Sequence, residues 1–280
     1  MNYFLGLLIS TFTCASAIAQ QGEATYLEHV KASISFDSTT NAKMTNKMRQ
    51  AIDAQLKSLS QKEYTLTFTP TESIYKQEEQ LDTPTPASSN VGGVGAVFIS
   101  SSGGGDLLYK NVKENKFVNQ TELMGKLFLI KDTLTTRKWK LGSETKTIGN
   151  YTCYKATIDF TVTHTQFTFG NEEEEKTVEK TKTLTAWYTP EIPVSNGPED
   201  YQGLPGLILE VHEGNKTLVC NKITLSKEND FEIKIPSKGK KVTQTEYDEI
   251  SEKKMKQFIE QQKNNHRNRN GKGISISISK

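Results

Sequence analysis

The sequence has few cysteines and almost no excess charge. Only three of its 280 residues are cysteine, and 35 Lys and Arg residues nearly cancel 33 Asp and Glu residues, which leaves a formal net charge of +2. This balance excludes a generally basic nucleic-acid-binding protein. Aromatic residues form 9% of the chain, and with so small a net charge this share excludes a wholly disordered protein.

Long hydrophobic runs are also missing beyond the N-terminus, so no membrane-spanning helix is predicted. The apolar stretch YFLGLLISTFT at 3–13 is too short to cross a bilayer and has the length of a signal-peptide core. Ala17 and Ala19 supply the small residues that precede a cleavage site, which we place before Gln20. We therefore interpret residues 1–19 as a signal peptide and expect an exported protein, either periplasmic, associated with the outer membrane, or secreted.

Export leaves two cysteines, Cys153 and Cys220, because Cys14 lies in the predicted signal peptide. An exported protein meets an oxidising compartment, so one disulfide between them is a first alternative. The loop it would close has about 67 residues, for which chain entropy gives roughly 4 kcal/mol of stabilisation. The second alternative is a pair of buried free thiols on strands, and the sequence does not decide between the two.

Sequence motifs for catalysis, cofactors and metals are missing. The four histidines form no HExxH motif, and the chain has no GxSxG or CxxC. His164 and His212 could meet near Glu210, but ordinary strand histidines are the favoured interpretation. The acids Glu199 and Asp200 are interpreted as solvated loop residues. We therefore predict no catalytic, cofactor-binding or metal-binding residues, and no enzyme.

Hydrophobic periodicity predicts a fold of class α+β that is mainly β. Alternation of apolar residues over 26–36 is typical of a half-buried strand, whereas the spacing of Met44 to Leu59 predicts an amphipathic helix over 41–60 that packs on a sheet. A second helix is predicted over 245–264, capped by Thr243 or Thr245. The remaining strand-like runs are 64–68, 107–110, 116–119, 127–131, 137–141, 151–160, 163–169, 183–189, 206–212, 217–225 and 231–235. Their even spacing predicts a large antiparallel sheet.

Composition divides the chain after the signal peptide into one domain and a tail. Residues 20–264 form the predicted β-rich domain, which contains a mobile loop rich in Pro, Gly and Ser at 81–106. The acidic run 171–180 is interpreted as a solvated hairpin tip. Residues 265–280 form a basic linker followed by the strictly alternating ISISIS, which predicts a terminal strand. Pairing with the edge of the protein's own sheet is favoured, and the alternatives are a disordered tail or a strand added to the sheet of a partner.

One segment near residue 200 concentrates proline and glycine. Four prolines within 16 residues exclude a helix or an interior strand, and glycine allows backbone angles that other residues avoid. We therefore predict a loop of fixed shape, in which Gly203 and Gly206 adopt such angles or let backbone approach closely. The candidate signature residues are Trp187, Pro190, Pro193, Gly197, Pro198, Gly203, Leu204, Pro205, Gly206, Leu207 and Ile208.

The hexapeptide GLPGLI at 203–208 resembles the name-giving motif of the GLPGLI family. The runs AWYTPEIP at 186–193, IGNYTCYKA at 148–156 and FLIKDTL at 128–134 also resemble that family. The resemblance implies an exported protein of a Gram-negative bacterium, of unknown activity and without known catalytic residues. It also implies a gene often located near genes for outer-membrane TonB-dependent receptors.

The predicted order of a helix followed by many strands further resembles the LolA/LolB-like half-barrels, which hold the acyl chains of lipoproteins. This likeness concerns architecture alone. Together these observations favour a non-catalytic envelope protein that binds a partner protein, such as a TonB-dependent receptor, or an apolar ligand. The alternative is a hydrolase or metal-dependent envelope enzyme with an unrecognised site.

Overall fold

A computed structural model describes seven parts of the chain, which are residues 20–30, 45–46, 61–78, 106–169, 174–226, 231–267 and 274–279. Within these parts, the helix described from end to end is α1 (Gln244–Arg267). The strands are β1 (Gln21–Val30), β2 (Gln61–Phe68), β3 (Glu72–Gln77), β4 (Leu107–Asn111), β5 (Lys116–Leu123), β6 (Lys126–Thr133), β7 (Lys140–Ile148), β8 (Tyr151–Phe169), β9 (Glu174–Thr189), β10 (Leu207–Glu213), β11 (Lys216–Ser226), β12 (Lys240–Val242) and β13 (Ile274–Ser279).

All thirteen strands belong to one open sheet in the order β12-β6-β5-β4-β3-β2-β1-β11-β10-β9-β8-β13, and β7 also pairs with β8. Two antiparallel meanders, β1 to β6 and β7 to β11, are joined by the antiparallel pairing of β1 with β11. Strand β12 pairs parallel to β6. Short turns make the meanders: between β5 and β6, Met124 and Gly125 have φ angles of 48° and 75°, as two-residue hairpin turns require.

Strands β8 and β9 extend beyond the rest of the sheet. They pair with each other from Tyr154 to Thr168 of β8, whereas β10 pairs with β9 over Leu184–Thr189. The far part of this hairpin is joined by β13, whose residues Ile274 to Ser279 pair with Phe169 to His164. The predicted self-pairing of the terminal strand is therefore confirmed. We call residues 158–169, 174–183 and 274–279 the arm.

One face of strands β1 to β6 is covered by other parts of the chain, and we call it the covered face. Cross-strand pairing places Tyr26, Leu66, Ser73 and Lys110 on this face. All four side chains are buried, with exposed fractions of 0%. Burial of apolar side chains on this scale is the main stabilising contribution to the fold.

Helix α1 covers the β6 end of this face. Its N-terminus is a capping box, because the backbone N–H of Glu246 donates to Oγ1 of Thr243 at 3.2 Å and the N–H of Thr243 donates to Oε2 of Glu246 at 2.8 Å. The ring of Tyr247 packs edge-on against Phe128, with centroids 5.5 Å apart. The sequence predicted either Thr243 or Thr245 as the cap, and in the structure the cap is Thr243.

The predicted fold class is confirmed, since a large and mainly antiparallel sheet ends in a helix. Several strand boundaries were wrong. The runs 151–160 and 163–169 are one strand, and the predicted hairpin tip at 171–180 is strand from Glu174 onward. Residues 231–235 are not a strand, because they pair with none of the strands in the described part of the chain. Strand β3 was not predicted.

Other predictions fall largely outside the described residues. These are the signal peptide 1–19, the helix 41–60 except Thr45 and Asn46, the loop 81–106 except Asp106, and part of the linker within 265–280. In the described part of the chain, no helix is both long enough and apolar enough to cross a membrane.

Candidate functional site

The predicted signature loop runs from Pro190 to Gly206 and joins β9 to β10. It is a core element rather than a surface loop. Ile192 and Val194, 0% and 1% exposed, join the apolar cluster that links β1, β2 and β3 to β8 and β10. Tyr201 and Leu204, 2% and 1% exposed, belong to a second cluster formed with residues of β8 to β11. The loop thus fills the space beside the sheet with its own side chains.

Backbone hydrogen bonds fix the loop against the start of β10. The N–H of Leu207 donates to the carbonyl oxygen of Ile192 at 2.9 Å, and the N–H of Ile208 donates to that of Asn196 at 3.0 Å. The buried hydroxyl of Tyr26 then donates to the carbonyl oxygen of Ile208 at 2.7 Å. A loop with this many internal partners has one defined conformation.

Two glycines of the hexapeptide confirm the prediction in different ways. Gly203 has a φ angle of +92°, a region that favours glycine. Gly206 has no such angle, but a Cβ atom there would overlap the carbonyl group of Thr189 and lie 2.9 Å from the nitrogen of Pro190. Gly206 is therefore required because two backbone segments approach closely.

The other signature residues also have structural positions. Leu207 and Ile208 are fully buried, and Pro198 is buried, whereas Pro190, Pro193 and Pro205 are exposed. At Gly197 a Cβ atom would lie 2.8 Å from Cβ of Ile208. Trp187 lies outside the loop. The ammonium group of Lys146 lies over its indole ring, 4.4 Å from the ring centroid.

Two side chains of the covered face anchor the loop from a distance in sequence. The hydroxyl of Ser73 donates to Oδ1 of Asn196 at 3.1 Å. The ammonium group of Lys110 donates to the carbonyl oxygens of Gly197 at 2.7 Å and Tyr201 at 3.3 Å. Lys110 is fully buried, and burial lowers its pKa to about 7, although the charges of Asp200 and Glu199 act in the opposite direction.

A charged cluster surrounds the ring of Tyr201. Its hydroxyl donates to Glu213, and the guanidinium of Arg137 lies 4.9 Å from the ring centroid. Lys216 bonds Glu199 at 2.7 Å and lies 3.9 Å from Glu213. Burial raises the pKa of Glu199, against the lowering effect of Lys216. These groups are paired within the cluster, and Glu199, with a φ angle of 45°, is held in an uncommon conformation.

Glu210 and His212 lie in contact on β10, but His164, which could have met them, does not. Nε2 of His212 contacts Glu210, whose Oε1 also accepts from Lys146 at 2.5 Å. His164 pairs with Val178 of β9, whereas His212 pairs with Thr185, seven residues along that strand. Within the described ranges, no three His, Cys, Asp or Glu residues lie close enough together to hold a metal ion.

Cys153 and Cys220 are free thiols in the structure, with exposed fractions of 0% and 7%. Both belong to the apolar cluster that contains Tyr26 and Ile192. Burial raises the pKa of Cys153 to about 11 and that of Cys220 to about 12. The thiols are therefore protonated and weakly reactive at neutral pH.

The sequence did not reveal Lys110, Ser73 or Tyr201 as residues that hold the signature loop. Lys110 has the same parity as Leu108 in strand β4, so alternation places it on the buried face. This alternation is the one sequence signal that could have shown the burial of Lys110. It does not show which group the lysine contacts.

The comparisons with known proteins give a family of unknown function. A family described as "Protein of unknown function (Porph_ging)" matches residues 139–210, which include the hexapeptide and the strands β7 to β9. No curated protein matches the sequence. The fold is similar to that of PNGF-II in its C2 and P21 crystal forms, each with a TM-score of 0.45, at 15% and 16% identity. Each likeness covers 83% of this chain and 33% of PNGF-II, so the chain spans about a third of that protein.

Proposed function

We propose that the protein is an exported, non-catalytic binding module of the cell envelope, of the GLPGLI family, and that its ligand is a partner protein rather than an acyl chain. The observation that carries this proposal is the position of the signature loop. Ile192, Val194, Tyr201 and Leu204, all at most 2% exposed, occupy the interior that a carrier would leave open for an apolar ligand.

The family match of unknown function and the resemblance at 203–208 support the assignment to this family. Export rests on the signal-peptide pattern of residues 1–19. An outer-membrane TonB-dependent receptor is the partner that the family resemblance suggests. A rigid loop inside a large sheet suits a module whose surface is fixed before it binds, because little conformational entropy is then lost on association.

A photo-cross-linking experiment tests the proposal. The photoreactive residue p-benzoylphenylalanine would replace Lys62 or Leu141, which lie in different strands, and the protein would be expressed in its native host. We expect one defined cross-linked protein at one or both positions. Native mass spectrometry of the purified protein should show no bound acyl lipid. Stoichiometric lipid, or no cross-linked product at either position, would overturn the proposal.

One observation favours an enzyme as the second candidate. Nδ1 of His212 lies 3.1 Å from Oγ1 of Thr217 while Nε2 contacts Glu210, the order of a hydroxyl–imidazole–carboxylate triad. Glu210 also bonds Lys146, which reduces its effect on the imidazole. Hydrolysis of p-nitrophenyl acetate that disappears in Thr217→Val and persists in Thr224→Val would favour this candidate, because Thr224 lies on the same strand away from His212.

A further inference from the structure

Three strands of the sheet pair with a single neighbour in the described part of the chain. They are β7, β12 and β13. Each therefore has one edge whose backbone N–H and C=O groups pair with no described strand, and such an edge can accept a strand of another molecule. Proteins prevent this pairing with bulges, very short edge strands and charged residues. The three edges differ in these features, and the difference indicates which of them accepts a strand.

Two of the edges are protected. Strand β7 breaks register with β8 between Leu141 and Thr145, and its sequence KLGSETKTI includes two lysines and a glutamate. Strand β12 has three residues, of which Lys240 and Lys241 are exposed. A bulged or short strand with charged residues is a poor template for another strand. These two edges are therefore unsuited to pairing with a second molecule.

Strand β13 has none of these protections. Its six residues, ISISIS, include no charged residue, proline or glycine. It pairs with β8 without a break in register, and the arm continues in regular register from β8 to β9. In an antiparallel ladder of this kind, alternate residues of the outer strand direct their N–H and C=O groups away from the inner strand. The outer edge of β13 thus offers a regular row of donors and acceptors.

The ISISIS sequence is complementary to itself. Two copies of β13 can pair antiparallel about a two-fold axis at Ile276. Ile274 then lies opposite Ile278 of the second copy. Ser275 likewise lies opposite Ser277. Directly opposite residues lie on one face of an antiparallel sheet, so this register keeps every isoleucine on the same face. A shift of one residue would divide the isoleucines between two faces.

The face that holds the isoleucines continues into the arm. Ile274 pairs with Phe169 of β8, and two residues further along β13, Ile276 pairs with Phe167. Pairing of two copies would extend this apolar row across four strands, two from each copy. Apolar cross-strand pairs of this kind stabilise an antiparallel sheet.

We propose that the outer edge of β13 joins two copies of this chain into a dimer, in which the two arms form one continuous sheet. The occupant of the edge is a second copy, because β13 itself has the alternation that the edge requires and no charge that would repel a copy. About five residue pairs form the contact, which is smaller than a standard interface, so we expect a reversible dimer with a dissociation constant in the micromolar range. The dimer is independent of the binding function proposed above.

Sedimentation velocity over a wide range of concentrations tests this pairing in the chain that starts at Gln20. The original protein should show a monomer–dimer equilibrium. Ser275→Lys combined with Ser277→Lys places lysine opposite lysine twice in the dimer and should weaken association at least tenfold. Ser275→Lys combined with Ser277→Glu places opposite charges at the same two positions and should restore it. A register shifted by two residues would place residue 277 opposite itself, and this second variant would then stay weak.

The two double variants are matched controls for the arm itself. On β8 the residues opposite Ser275 and Ser277 are Thr168 and Gln166, which have no charge, so neither variant should lose the pairing of β13 with β8. Truncation after Asn270 removes β13 and should leave a monomer. A monomer at every concentration up to millimolar, equal association of the original protein and both double variants, weak association of both double variants, or a dimer that persists after truncation would each overturn the proposal.

Discussion

The ammonium group of Lys110 donates a hydrogen bond to the carbonyl oxygen of Gly197 at 2.7 Å, across 87 residues of sequence. Both residues are buried, and the second partner of the ammonium group, the carbonyl oxygen of Tyr201, belongs to the same loop. One lysine of the first meander therefore holds the signature loop that connects two strands of the second.

This contact predicts an unusual pH dependence. The pKa of Lys110 is lowered from 10.5 to about 7 by burial, so between these values the folded protein binds fewer protons than the unfolded chain. The free energy of unfolding should therefore rise as pH increases from about 7 to 10, by at most about 1.4 kcal/mol per pH unit from this group. Urea unfolding of the original protein and of Lys110→Met at pH 6, 7.5 and 9 measures this change in the free energy of unfolding.

Plots of the free energy of unfolding against pH should diverge for the two proteins as pH rises, because Lys110→Met abolishes the titration. The variant also leaves two buried carbonyl oxygens without a donor. At pH 9 the variant should be less stable by about 2 kcal/mol, and the gap should shrink at pH 6. Lys116→Met, at an exposed lysine, is the control. Parallel curves for the original protein and Lys110→Met would contradict the assignment.

Gly206→Ala should destabilise the protein strongly. The new Cβ atom would overlap the carbonyl of Thr189, and the clash is with backbone that no side-chain rotation relieves. We expect a loss of about 3 kcal/mol or more, against about 1–2 kcal/mol for Gly203→Ala, where a φ angle of +92° is the source of strain. Gly125 also has a positive φ angle, 75°, but no atom lies within 4 Å of its Cβ position and asparagine tolerates such angles, so Gly125→Asn should cost less than either variant. Equal losses in all three variants would refute this explanation.

The thiols provide a chemical test of the core. Cys153 and Cys220 are buried, with pKa values raised to about 11 and about 12, so the folded protein should not react with Ellman's reagent over minutes at pH 8. Unfolding in guanidinium chloride without reductant should release two reactive thiols from the chain that starts at Gln20. No thiols after unfolding would mean that the exported protein contains the disulfide instead.

Truncation after Asn270 removes β13 and should affect the arm locally. Amide hydrogens of residues 164–169 lose their partner strand, so their exchange in deuterated solvent should accelerate at least tenfold. Exchange in β1 and β2, far from the arm, should not change. Deletion of Lys280 alone is the control. Unchanged exchange over 164–169 would show that β13 does not pair there in solution.

The sequence by itself determined the local features. Alternation identified most strands, and helical spacing together with Thr243 located α1, because both signals depend on neighbours a few residues apart. Pro and Gly near residue 200 identified a loop of fixed shape, because these residues restrict or release φ locally. Strand β3 was missed because Pro70 and a short run of six residues gave a weak periodic signal.

Only the tertiary structure decided which groups meet. Pairing of β1 with β11 joins two meanders, and sequence periodicity contains no information about partners or register. The burial of Lys110, the unpaired hydroxyl of Tyr75 and the free state of Cys153 and Cys220 all depend on contacts between residues far apart in the chain. The sequence specifies which side chains lie on a buried face, whereas the register of neighbouring strands decides what they contact there.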